Sequence, residues 1–172
     1  CIRDCKNATR QKLTMRQLHN NSLKYMAQEL KQIGIYCANN HQVQLFYNHS
    51  IGHPCGIDIH EDIPDYSQVL QPGHLITIEP GIYIPQYNQA LDSTSESSSY
   101  AALLNSIPME LRGIGVRIED NILITDKEPR IITEKVPKQI DELEKLMQNP
   151  SQEMINYCEH LFNSLQFMHK KQ

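Results

Sequence analysis

Apolar residues along this 172-residue chain follow a helical period in three stretches, with short β-branched runs between them. Thr14 to Ile33 is the clearest helical stretch. Leu23, Met26, Leu30 and Ile33 fall on one face, Thr14 and Gln17 have the spacing of a capping box, and Gly34 is a natural stop. Asn39 to Gln42 reads as a polar loop, and Val43 to Tyr47 as a short strand. Turn signals at Pro64 and at Gln71 to Gly73 precede two apolar runs, Leu75 to Ile78 and Ile82 to Ile84. Pro80-Gly81 breaks them, so the pattern predicts a strand, a tight turn at Glu79 and a second strand. Gln86 to Pro108 is Ser-rich and carries no clear period, which predicts a mobile surface insertion. Ile114 to Ile118 and Ile122 to Thr125 predict strands around Glu119-Asp120. Pro137 to Met147 predicts a helix with Ile140, Leu143 and Leu146 on its inner face. Ser151 to Met168 is a further helix candidate, with Met154, Cys158, Leu161, Leu165 and Met168 as its apolar stripe.

The length suits one core, and 40% apolar residues are too many for wholesale disorder. A formal net charge of -4 argues against a nucleic-acid binder, which needs a basic stripe. No apolar run reaches about 18 residues, so no membrane span is predicted. The opening CIRDCKNATRQK lacks the apolar centre of a signal peptide, and the chain does not begin with Met, which reads as a fragment. The five cysteines form no C-x-x-C pair, which favours a reducing compartment over secretion.

The chemistry gathers in HSIGHPCGIDIHE, His49 to Glu61, where His49, His53 and His60 stand among glycines and small residues. Two acidic segments follow, TIEPGIY with Glu79 and GVRIEDNILIT with Glu119. Imidazole and carboxylates on neighbouring strands suit Mn²⁺, Co²⁺ or Zn²⁺. His53 is the first candidate ligand, because Gly52 and Gly56 let other groups come close. Glu79 ends a buried-looking run, where a carboxylate is costly unless paired or metal-bound. Arg117 and Glu119 are two apart and share a strand face, so Arg117 can hold a carboxylate in place. Each has a plain alternative: a hydrogen-bonded histidine, a surface turn glutamate, an ordinary ion pair. Cys55 reads either as a ligand or nucleophile or as a small residue filling space.

These motifs resemble the C-terminal half of the pita-bread metallopeptidases, in the Xaa-Pro aminopeptidase and prolidase branch. HSIGHPCGIDIHE resembles its histidine signature, LQPGHLITIEPGIYIP its first glutamate segment and GIGVRIEDNILIT its second; VPKQIDELEKLM resembles the end of the domain. The likeness runs from about Cys1 to Met147. It implies an α+β fold with a curved antiparallel sheet backed by helices. Residues 1–148 would form the C-terminal part of a catalytic domain, with the Ser-rich insertion at about 86–108, and 149–172 a helical tail.

The resemblance also implies a hydrolase: a two-metal, commonly Mn²⁺-dependent aminopeptidase that removes the residue preceding proline, with Co²⁺ or Zn²⁺ as alternative ions. His53, Glu79 and Glu119 match metal ligands. Glu79 also matches a general acid/base, and Glu119 the carboxylate that bridges both metals. His49 and His60 match histidines that bind substrate and stabilise the tetrahedral intermediate, and Arg117 a supporting arginine. The expected partner is a peptide with proline second, with no nucleic acid or membrane and room for a homodimer. The nearest likeness, to mitochondrial enzymes of eukaryotes, implies that location, with the cytoplasm as alternative.

Two aspartate ligands of that family find no counterpart here. Asp4 lacks the strand context, and Asp58 sits at a non-ligand position of the signature. The expectation is a chain that begins after the aspartate hairpin and is inactive alone. Cys55 replaces an aliphatic residue, and His74 an apolar one. Prolidase, and a non-catalytic module that binds peptides or proteins, remain alternatives. Methionine aminopeptidase is disfavoured by RIEDN.

Overall fold

Helix α1, Met15–Gln32, starts where the sequence supplies its own cap. Thr14 Oγ1 accepts from the Gln17 backbone N–H at 3.2 Å, and the Gln17 side chain accepts from the Thr14 N–H at 3.0 Å. Gly34, with φ +86°, ends it. Leu18, Leu23 and Leu30 are buried and Met26 partly so, while Ile33 caps the helix and is exposed. The computed structural model describes residues 1–61, 65–86, 95–152 and 155–156, with the backbone alone for 95–100.

The expected loop and strand at 39–47 are instead one short helix, α2, Asn40–Gln44, and the turn that follows. Asn39 caps it, its side chain accepting from the Gln42 N–H at 3.0 Å. Val43, Phe46 and Tyr47 are fully buried, and their spacing is that of one helical face rather than of a strand.

Strands β1, Leu75–Ile78, and β2, Gly81–Tyr83, stand where the apolar runs predict them but do not pair with each other. Helix α3, Ser95–Ser106, occupies the later part of the stretch read as a mobile insertion. Leu103, Leu104 and Ile107 are buried there, and these apolar side chains tie the segment to the core. Residues 87–94 lie outside the described part.

Strands β3, Gly115–Arg117, β4, Asp120–Leu123, and β5, Arg130–Ile131, complete two antiparallel sheets, ordered β1-β4-β5 and β2-β3. Ile76 faces Ile122 and Ile78 faces Asp120 in one; Gly81 faces Arg117 and Tyr83 faces Gly115 in the other. The core joins Leu18 and Leu30 to Phe46, Tyr47, Ile51, Ile76, Ile122 and Ile124. Asp120 is buried and accepts from the Thr133 hydroxyl at 2.6 Å, so this half of the acidic pair serves the fold.

The chain divides into two compact units, Cys1–Glu134 and Lys135–Gln172. In the second, helix α4, Ile140–Gln148, starts three residues later than expected. Ile140, Leu143 and Leu146 are exposed rather than on an inner face. Among the described residues of that unit no second long element exists for them to pack on. Most of the helix candidate from Ser151 to Met168 lies outside the described residues. Among the described residues, no helix is long and apolar enough to cross a membrane.

Candidate metal centre

Residues 51–55 run beside β1, joined to it by a single bridge from Pro54 to Ile76 rather than as a strand of the sheet. Three backbone bonds hold them: Glu79 N–H to Ile51 O at 2.8 Å, Thr77 N–H to His53 O at 2.8 Å, and Cys55 N–H to Leu75 O at 2.9 Å. Pro54 has no N–H to give, which interrupts the ladder. Close approach demands Gly52: a Cβ there would lie 2.0 Å from the Thr77 carbonyl oxygen. This apposition brings His53 and Glu79 together from positions 26 apart in sequence.

The Nε2 of His53 lies 3.4 Å from Oε1 of Glu79, and both side chains are largely buried, 19% and 10% exposed. The His53 Nδ1 lies 2.9 Å from the Pro54 carbonyl oxygen. A carbonyl only accepts, so Nδ1 carries the proton and Nε2 of the neutral ring is a bare lone pair. In the neutral ring a nitrogen lone pair faces a carboxylate oxygen, and a cation between them, a metal ion or a proton on Nε2, relieves the repulsion. Two ligands each about 2.1 Å from one ion stand roughly 3.0–3.4 Å apart between right-angle and tetrahedral geometry. The pair therefore fits a divalent metal, which His53 Nε2 and Glu79 Oε1 would hold.

Both oxygens of Glu79 are held. Oε1 accepts from the Thr77 hydroxyl at 2.9 Å, and Oε2 from Arg117 Nη1 at 3.2 Å. The guanidinium also donates through Nε to the Tyr83 hydroxyl and lies over the Tyr83 ring, 5.5 Å from its centroid. Arg117 thus supports Glu79, across the sheet, rather than its sequence neighbour Glu119.

The other candidates are placed less tightly. His60 is exposed, its ring edge-on to His53 with centroids 4.3 Å apart. His49 packs edge-on against Tyr47 at 4.9 Å and Tyr83 at 5.6 Å. Its Nδ1 lies 2.7 Å from the Ser50 carbonyl oxygen, and its Nε2 is buried with no hydrogen-bond partner among the described residues. Glu119 is exposed, yet its carboxylate, with that of Glu79, reinforces burial in pushing the Cys55 thiol up from its ordinary range. Among the described residues no three His, Cys, Asp or Glu side chains stand close enough to hold a metal together. Further contacts to an ion at His53 and Glu79 would come from water or from groups not so placed.

Thr77, Tyr83 and Tyr47 were not singled out from sequence. Thr77 had a readable signal, since it lies two before Glu79 on one strand and so shares its face. Tyr47 and Tyr83 had none, because ring packing across the fold leaves no local pattern.

Comparison with known proteins gives a consistent picture. Residues 1–126 match metallopeptidase family M24. "Intermediate cleaving peptidase 55, mitochondrial" of Arabidopsis thaliana is 37% identical over 150 residues, covering 87% of this chain and 26% of the relative. "Xaa-Pro aminopeptidase 3" of Homo sapiens is 33% identical over 156 residues, covering 87% and 27%. The crystal structure of Icp55 from Saccharomyces cerevisiae superposes with a TM-score of 0.67 at 36% identity, covering 86% of this chain and 34% of that one. The chain spans about a quarter of the length of these curated relatives. The mixed helical and antiparallel architecture is that of the pita-bread aminopeptidases.

Proposed function

The chain belongs to metallopeptidase family M24, and from that membership we propose that it contributes His53, Glu79 and Glu119 to the metal centre of an aminopeptidase that removes the residue preceding proline. The contact of His53 Nε2 with Glu79 Oε1 at 3.4 Å carries the proposal. When bound, a divalent metal supplies Lewis-acid polarisation and a nucleophilic water near neutral pH. Mn²⁺ is the proposed ion, and the paired form requires additional carboxylates, which we assign to protein outside these 172 residues.

The chain's own residues take the remaining roles. Glu79, clamped at both oxygens, moves a proton to the leaving proline nitrogen. The exposed ring of His60 donates to the oxyanion that develops on the scissile carbonyl. His49 contacts the substrate. Proline suits such a site because its tertiary amide lacks the N–H that many peptidases grip. The relatives' names support the specificity: one is an Xaa-Pro aminopeptidase and another is called mitochondrial. A mitochondrial location is proposed on that ground.

Taken alone, the chain holds metal weakly and turns over little peptide. The test is Mn²⁺ binding by the purified chain alongside hydrolysis of Xaa-Pro dipeptides, tripeptides and longer peptides. Weak binding that is lost in His53→Ala and Glu79→Ala supports the proposal. Binding unaffected by both changes refutes the ligand assignment, and enzyme-like turnover by the chain alone refutes the need for outside ligands. In a complete protein, cleavage confined to dipeptides would favour prolidase.

A further inference from the structure

We infer that Thr77 is a positioning residue that aims the Glu79 carboxylate at His53, an inference that rests on the ligand assignment above. Thr77 is 1% exposed and sits in β1, two residues before Glu79. Its hydroxyl oxygen accepts the His53 backbone N–H at 2.9 Å. It has one proton to give. Glu79 Oε1 lies 2.9 Å away and the His53 carbonyl oxygen 3.4 Å away, so the nearer, charged acceptor takes it. One hydroxyl thus ties the backbone of one proposed ligand to the side chain of the other.

The consequence is directional. Glu79 Oε1 receives the Thr77 proton and Oε2 the Arg117 N–H, which fixes a terminal torsion that is otherwise broad. The unused lone pair of Oε1 is left facing His53 Nε2. Thr77 itself has little freedom. Its β-branched side chain is stiff at χ1, and Gly52 lies so close that a Cβ there would come within 2.7 Å of the hydroxyl oxygen. Supporting contacts of this kind orient metal ligands and are costly to lose.

Two measurements on the full chain test this. In the metal-free protein, NMR should show a slowly exchanging Thr77 hydroxyl proton correlated with the Glu79 carboxylate carbon. In Mn²⁺ titrations followed by EPR, Thr77→Val, which keeps the shape and removes the hydroxyl, should weaken binding roughly 10–100-fold, while Thr77→Ser stays within about threefold of the parent. Absence of the correlated proton overturns the inference, whether or not the variants fold. So does a folded Thr77→Val that binds Mn²⁺ as the parent does. If the parent and His53→Ala bind Mn²⁺ alike, the ligand assignment falls, and the hydroxyl proton still decides the Thr77 geometry.

Discussion

Gly52 shows how one residue controls the site. A side chain there would press on the Thr77 carbonyl carbon at 2.7 Å and its oxygen at 2.0 Å, both backbone atoms that cannot swing aside. Gly52→Ala should therefore lower stability by about 3 kcal/mol, the upper range for overpacking, seen as a fall in the urea midpoint. His19 gives a pH dependence. Burial, aided by nearby His49, lowers its pKa below the usual 6.5. As pH falls through 6.5 the unfolded chain takes up a proton that the folded chain refuses, so stability drops from there down to the lowered folded pKa. Urea midpoints measured from pH 7 to 5 should show this decline, and His19→Gln should flatten part of it. At the cysteines, burial pushes the Cys5 thiol up to about 11, and its side chain is fully enclosed. Iodoacetamide at pH 8 should label Cys55 before Cys5, as read by peptide mass spectrometry.

At the scale of elements, legibility in the sequence tracks how local the determining interaction is. Helix α1 is written in its own cap, and Thr14→Ala should cost about 1 kcal/mol in chemical denaturation by removing half of the capping box. Strands β1 and β2 were also readable, because β-branched runs and a Pro-Gly break are local signals. Their pairing was not: β1 finds β4 and β2 finds β3, across more than 30 residues of intervening chain. Helix α2 was misread because Val43, Phe46 and Tyr47 form too short an apolar group to separate a strand from a helical turn. The Ser-rich stretch hid α3, whose burial rests on Leu103, Leu104 and Ile107 at its far end.

For the molecule as a whole, the three motif-bearing segments are legible as chemistry in the sequence, and all three meet at Glu79, although only the first two bring proposed ligand side chains into contact. His53 and Glu79 converge because an extended segment and β1 exchange backbone hydrogen bonds. Arg117 was expected beside Glu119 and instead reaches Glu79, because pairing of β2 with β3 places it over that carboxylate. Glu119 lies exposed in the link between β3 and β4, away from the contact of His53 with Glu79. The chain matches only about a quarter of the length of these relatives, which is why the proposal assigns the complete centre to a larger protein. The central claim is that His53 and Glu79 share one cation. Anomalous diffraction from crystals soaked in Mn²⁺ tests it most directly. The expected result is a peak roughly 2.0–2.3 Å from both His53 Nε2 and Glu79 Oε1; density showing the two atoms in direct contact, with the manganese bound elsewhere, would contradict it.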